Sequence, residues 1–172
     1  GTMASHRGDF LTARAHLEHS CRLADTLPSP VPLLRGGFVS GVTPRTALAR
    51  VLWALGYAEQ ARQRSQEALT LARQGDHIPT LAYAAYFVAL VCQCCRDVVA
   101  TQAHADALLA VAATHRLALR TEQGRLLRGW ALGMQGEVAA GVAHLRQALA
   151  SPDVGPEWLR SYWLAALAEA YG

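Results

Sequence analysis

Apolar residues recur along this chain every three or four positions, which is the spacing of α-helices, and not at every second position as in strands. Between Gly56 and Arg73, small and apolar residues recur every three or four positions, which is typical of the buried stripe of an amphipathic helix. The stripe consists of Ala58, Ala61, Ser65, Ala68, Leu69 and Ala72. The preceding segment, "ALARVLWALG", is apolar on most sides and ends on a glycine that suits a left-handed C-cap. The pattern therefore predicts pairs of helices, one largely buried and one amphipathic.

These helix pairs repeat with a period of about 40 residues. The segments "GDFLTARAHLEHSC", from Gly8, and "GEVAAGVAHLRQAL", from Gly136, share a glycine, an acidic residue and Ala-His-Leu at the same places. Gly56 and Gly136 stand two such periods apart. Together with the capping signals, this spacing predicts helices at roughly 9–25, 44–55, 57–74, 79–95, 98–114, 118–135, 137–150 and 156–171.

The element order predicts an all-α fold, a right-handed α–α superhelix (solenoid) of antiparallel helix pairs. We expect a single helical-repeat domain over residues 8–172, after a cloning remnant or a disordered start at 1–7. The segment 26–43 is rich in Pro and Gly, interrupts the period and is predicted to be a loop. The apolar residues of this loop are expected to pack against neighbouring helices; they are Leu33, Leu34, Phe38 and Val39.

Both ends of the chain predict a fragment of a longer array. The pattern begins with the second helix of a pair and stops after the first helix of another, without polar capping repeats. Apolar side chains at the end, including Leu164 and Leu167, are therefore expected to stay exposed or to drive homodimerisation.

Composition narrows the function without naming it. Of the 172 residues, 52% are hydrophobic and 17% are charged. The net charge of +3 comes from sixteen arginines and no lysine, spread among carboxylates, so no nucleic-acid partner is expected. The longest apolar run, Leu81 to Cys92, is too short to span a bilayer, and no membrane association is expected. Four cysteines without an extracellular signal favour a cytoplasmic location.

The repeats resemble the tetratricopeptide repeat, a helix–turn–helix unit with a large apolar residue, Leu-Gly, a later Ala and a closing Pro. In the second repeat these places are held by Leu52, Leu55, Gly56, Ala68 and Pro79. The fourth repeat keeps Leu132, Gly136 and Ala148, and the third has Cys92, Cys95, Arg96 and Leu108. The long period also resembles the C-terminal repeat region of multidomain bacterial signalling proteins. In such proteins a STAND ATPase and a nucleotide cyclase or a transcriptional regulator precede the repeats.

The stretch "VCQCCRD", at 91–97, gathers three of the four cysteines without making a metal site. Only Cys92 and Cys95 share a helix face, at the positions held in the second repeat by Leu52 and Leu55, whereas zinc takes four ligands. We interpret both as core residues, with a redox-sensitive thiol as the alternative.

Other candidate chemistry is sparse. The histidines are interpreted as structural, and carboxylates such as Glu122, within "RTEQGR" at 120–125, as solvated helix faces. No nucleophile elbow or phosphate-binding loop occurs in the sequence. We therefore predict that the chain is not an enzyme and that it carries no metal and no cofactor.

In arrays that resemble tetratricopeptide repeats, the first helices line a concave groove, where Tyr, Trp and Arg act as anchors. The residues predicted to bind a partner there are Arg50, Trp53, Tyr57, Tyr86, Leu90, Gln93, Trp130, Tyr162 and Glu169. The alternative is that Trp53 and Trp130 only fill gaps between helix layers. The predicted function is binding of a protein or peptide, or of another domain of the parent signalling protein. A second hypothesis is a sensory module that binds a small effector and regulates an attached ATPase or cyclase.

Overall fold

The computed structural model describes residues 7–26, 40–155 and 157–171, with the side chains of 157 and 158 left out. This part of the chain contains eight α-helices and no β-strand, which confirms the all-α prediction. The helices are α1 (Phe10–Asp25), α2 (Val42–Ala54), α3 (Ala58–Gln74), α4 (Ile78–Cys94), α5 (Val98–Thr114), α6 (Ala118–Met134), α7 (Val138–Ala150) and α8 (Glu157–Ala170). Helix α2 begins at Val42, within the segment 26–43 that was predicted to be a loop. The packing predicted for Leu33, Leu34, Phe38 and Val39 lies outside the described residues, as do residues 1–6 of the start predicted at 1–7.

From α2 to α7, turns with one left-handed residue separate consecutive helices at equal intervals along the chain. The left-handed residues are Gly56, Asp76, Arg96, Arg116 and Gly136. After α2 the turn is a Schellman motif, in which Tyr57 N–H donates to the Leu52 carbonyl and Gly56 N–H to the Trp53 carbonyl, both at 2.9 Å. The same pair of bonds closes the turns after α5 and α6. Each period of the repeat thus consists of two equal helix–turn steps.

The chain divides into two compact units, residues 1–95 and 96–172. In the N-terminal unit α2 packs against α1, α3 and α4, and α3 packs against α4. In the C-terminal unit α6 packs against α5, α7 and α8, and α7 packs against α8. Since helices joined by such short turns pack side by side, consecutive helices run antiparallel within α2–α4 and within α5–α7, as predicted.

Cysteine replaces leucine in the core of the N-terminal unit. Leu52 and Cys92 are both buried, while Leu55 and Cys95 are both half-buried. Cys21 packs in one hydrophobic cluster with Leu52, Leu55 and Cys95. Burial raises the pKa of its thiol, which makes the thiol less reactive. Within the described residues no group of three or more His, Cys, Asp or Glu side chains could hold a metal ion. The interpretation of the cysteines as packing residues agrees with this burial.

The C-terminal unit is packed around two large aromatic side chains and a close helix contact. Trp130 and Trp163 are the two largest fully buried side chains of the described residues. Gly129 of α6 and Gly141 of α7 face each other so closely that a Cβ on Gly141 would lie 2.6 Å from the Gly129 carbonyl oxygen. The two helices therefore meet backbone against backbone at this point.

Candidate interaction surface

Helices α2 and α4, which are the first helices of two consecutive repeats in the N-terminal unit, share a partly exposed aromatic surface. We call it the α2–α4 face and define it by Arg50 and Trp53 of α2 with Tyr83 and Phe87 of α4. On α2 the side chains that are not buried follow helical spacing, so Arg50 and Trp53 lie on one side one turn apart. Thr46 also joins the two helices, since its hydroxyl lies 3.4 Å from the Tyr83 hydroxyl, within hydrogen-bond distance.

Trp53 combines exposure with a fixed position. Its side chain is 42% exposed, although an aromatic ring of this size is ordinarily well covered. The indole N–H donates to the carbonyl of Cys94 at 3.0 Å, which fixes the ring against the end of α4. A ring held in this way can contact a partner without losing much further conformational freedom.

Arg50 lies over an aromatic cluster of α4. Its guanidinium carbon is 5.8 Å from the centre of the Phe87 ring, within the range of a cation–π contact. Phe87 in turn packs against Tyr83 and Tyr86, with ring centres 4.7 and 5.0 Å apart. The arginine is thus half-buried against a cluster of packed aromatic rings.

Tyr57 follows the turn after α2 and is 44% exposed. The guanidinium of Arg14, on α1, lies 5.0 Å from its ring centre. Arg14 also pairs with Glu18 one turn along α1, at 2.8 Å, so its charge is matched within the chain.

In the C-terminal unit the predicted residues Trp130 and Glu169 come together, but as a packing contact. Trp130 is 1% exposed, and its indole N–H donates to Glu169 Oε2 at 2.9 Å. The other oxygen of Glu169 accepts from Arg96, whose guanidinium lies 5.7 Å from the centre of the Trp130 ring. The bonds from Trp130 and Arg96 hold the pKa of the Glu169 carboxyl below its usual value.

Four of the nine predicted groove residues are buried rather than exposed: Tyr86, Leu90, Gln93 and Trp130. Each residue turns a helix by about 100°, so a small error in the repeat frame moves a side chain from the surface to the core. On α4 the partly exposed aromatic residues are instead Tyr83 and Phe87, which the sequence reasoning missed. Their spacing of one turn was the available signal.

The other five predicted residues are at least partly exposed: Arg50, Trp53, Tyr57, Tyr162 and Glu169. Tyr162 packs edge to face on Trp163, with ring centres 5.0 Å apart. Leu164, expected to be exposed, is so, whereas Leu167 is half-buried. That any of the nine contacts a partner stays a prediction.

Glu122 of α6 corrects the expectation that the carboxylates lie on solvated faces. It is 7% exposed, and its neighbour Gln123 is also buried. One turn along the helix, Arg125 donates to Glu122 Oε1 at 2.6 Å, which compensates the buried charge. In the repeat frame this position is held by the buried Val42 and Ala82, so a polar pair replaces an apolar core residue.

A polar cleft of about 520 Å³ runs along α3 and opens to solvent. It is lined by Arg45, Gln63, Gln66, Glu67, Thr70, Leu71 and Gln74. Arg45, the buried member of this lining, donates to Asp25 at 2.5 Å and lies 3.8 Å from Glu67. Its charge is therefore neutralised within the chain.

Comparison with known proteins identifies the fold. One solved structure that superposes on the chain is a Podosopora anserina protein described as a putative kinesin light chain with nearly identical TPR-like repeats. The TM-score is 0.69 at 19% identity, and the match covers 98% of this chain and 81% of that one. The chain therefore has the fold of tetratricopeptide-like helical repeats, as the sequence predicts. No protein-family model matches the sequence, and no curated protein matches it either. Among the described helices, none is long and apolar enough to cross a membrane.

Proposed function

We propose that this chain is a non-catalytic interaction module that binds a protein or peptide segment on the α2–α4 face. The observation that carries the proposal is Trp53, a large aromatic side chain that is exposed and yet held by a hydrogen bond. Trp, Tyr and Arg are the residue types that dominate binding energy in protein interfaces. Arg50, one turn before Trp53 on α2, and the exposed Tyr57, which follows the turn after α2, would extend the contact.

The fold supports the same proposal. Helical repeats bury their cores between neighbouring helices and leave preformed side faces for recognition. The α2–α4 face is built on two helices that pack on each other, so binding requires little rearrangement.

A selection with a phage-displayed library of random dodecapeptides tests this function on the purified chain. An enriched peptide is synthesised and titrated into ¹⁵N-labelled protein. The indole resonance of Trp53 should shift on binding, whereas that of Trp163, which is buried, should stay in place. Shifts confined to the other helices would place the binding site elsewhere and contradict the proposal.

Substitutions then separate binding from folding. Trp53→Ala and Arg50→Ala should each weaken peptide binding by at least about tenfold, because anchor residues of this kind contribute about 2 kcal/mol or more to the binding free energy. Leu23→Ala, which shortens an exposed apolar side chain outside the face, is the matched control and should bind normally. Circular dichroism should show unchanged helicity in all three. A loss of helicity in Trp53→Ala would instead assign this residue to the core.

The finer part of the proposal concerns the parent protein. The resemblance to repeat regions of bacterial signalling proteins supports a partner segment within the same polypeptide. The reduced cysteines suit the cytoplasm. Exposed Leu164 is consistent with homodimerisation through the C-terminal end. The full-length gene product tests parentage directly: an ATPase, cyclase or DNA-binding domain before the repeats is the expected result.

The polar cleft along α3 favours a second candidate function, binding of a small effector. Its amide and hydroxyl lining could hydrogen-bond a polar molecule, but it opens to solvent, and the charge of Arg45 is already matched. The replacement Gln66→Leu leaves the α2–α4 face intact. Thermal-shift screening identifies small molecules that raise the Tm of the chain. If Gln66→Leu abolishes the rise in Tm caused by one of them, the effector function is favoured over peptide binding.

A further inference from the structure

We propose that the segment bound on the α2–α4 face is acidic and that one of its Asp or Glu carboxylates pairs with Arg50 above the Phe87 ring. This inference rests on the proposed function and gives the partner a chemical class. Three observations carry it: the charges of the two helices, the state of Arg50, and an arrangement of the same kind elsewhere in the chain.

The two helices that form the face hold positive charge only. The sequences of α2 and α4 contain two arginines, Arg45 and Arg50, and no aspartate, glutamate or lysine. Arg45 is buried and matched by Asp25 and Glu67. The unbalanced charge of the face therefore belongs to Arg50.

Arg50 makes no salt bridge with any carboxylate of the described residues. Its guanidinium lies over the Phe87 ring, and the side chain is half-buried. A guanidinium that is partly withdrawn from water gains more from an incoming carboxylate than a fully exposed one does, because screening is weaker there. Its planar fork also favours a carboxylate over a neutral acceptor.

The C-terminal unit shows how such a site is completed. There Arg96 lies over the Trp130 ring at 5.7 Å, close to the 5.8 Å between Arg50 and Phe87. Glu169 supplies the carboxylate, accepting from both Arg96 and the Trp130 indole. At Arg50 the N-terminal unit has the arginine and the aromatic ring, but no carboxylate of the described residues pairs with this arginine. A partner that supplies one would reproduce the arrangement already present in the chain.

The peptide selection described above is repeated with two variants, Arg50→Gln and Arg73→Gln. Arg73 is the matched control, because it is an exposed arginine on α3 that also has no salt bridge with a described carboxylate. Wild type and Arg73→Gln should enrich peptides with Asp or Glu at a fixed position beside an apolar residue, and Arg50→Gln should lose that preference. Changing this Glu to Gln in the synthetic peptide should weaken binding to wild type about tenfold. The same change should have little effect on Arg50→Gln.

The outcomes distinguish this inference from the function beneath it. Peptides that bind the face and shift Trp53 without any acidic preference would overturn the inference and leave the proposed function standing. If folded protein enriches no peptide on this face, both fail. A dimer of the chain that Arg50→Gln dissociates would assign the face to a second copy, against the inference. Charge reversal gives the positive test: Arg50→Glu should bind the Glu→Lys peptide better than wild type does.

Discussion

The backbone contact between α6 and α7 leads to a sharp stability prediction, tested by Gly141→Ala. The added methyl group would lie 2.6 Å from the Gly129 carbonyl oxygen, 2.7 Å from the Gly133 nitrogen and 3.0 Å from the Gly133 Cα. Ordinary contacts begin near 3.4 Å, so the helices would have to part by roughly 0.8 Å. Because every atom in the way belongs to the backbone, no side-chain rotation can relieve the clash.

Two opposing effects determine the size of the change. Alanine is a better helix former than glycine by about 1 kcal/mol, which would stabilise α7. Overpacking in a dense interior costs about 1–3 kcal/mol, and this site lies at the upper end because the backbone must move. We expect the free energy of unfolding to fall by about 1–2 kcal/mol, which lowers Tm by roughly 2–8 °C for a chain of this size.

Thermal and urea denaturation of Gly141→Ala and Gly124→Ala measure the effect. Gly124 is the control in α6, because its added methyl would come closest to the side chain of Leu109, at 2.8 and 2.9 Å, and that half-buried side chain can rotate. Gly124→Ala should therefore lower stability less than Gly141→Ala does. If Gly141→Ala proved as stable as Gly124→Ala, the helices would not be in backbone contact and the reasoning would be refuted.

Three further predictions concern the turns and the charged groups. Gly56→Ala should lower the free energy of unfolding by about 1–2 kcal/mol in urea denaturation, since Gly56 has φ 88°. The added Cβ would meet nothing within 4 Å, so backbone strain alone causes the loss. Arg116→Gly, at φ 54°, should not lower the free energy of unfolding. Because the pKa of Glu169 is lowered in the folded state, its stabilisation is full above the unfolded pKa near 4.5 and is lost as the pH falls through the folded pKa. Glu169→Gln should therefore be less stable than wild type at neutral pH, and the difference should shrink in acid; a constant difference would contradict the pair with Trp130 and Arg96. Burial and the nearby Arg128 and Arg125 lower the pKa of His144, so its NMR titration midpoint should fall below 6.5. Asp106 acts in the opposite direction, and a midpoint above 6.5 would show that its effect is the larger one.

The helices were predictable because local signals repeat. Every predicted helix bound lies within two residues of the observed one. Glycines at 56 and 136 mark two of the left-handed turns, and the equal spacing places the turns between them at Asp76, Arg96 and Arg116, where no glycine stands. Equivalent positions also share burial, as Leu52 and Cys92 do, so the repeat carries information from one copy to the next.

The surface was less predictable because it depends on how each helix is rotated about its axis. Sequence reasoning placed Trp53 and Arg50 at the surface, but it chose Tyr86 and Leu90 on α4 where Tyr83 and Phe87 are the more open positions. Contacts between residues that are distant in the sequence could not be predicted from it either. Arg96 and Glu169 are far apart in the sequence, and only the packing of the C-terminal unit brings them together.

The most direct test of the account is a crystal structure of the chain with the synthetic peptide from the selection. We expect the peptide to lie across α2 and α4, with an apolar side chain on Trp53 and a carboxylate bonded to Arg50 above Phe87. A peptide seated in the cleft along α3, or on helices of the C-terminal unit with the α2–α4 face empty, would contradict the account.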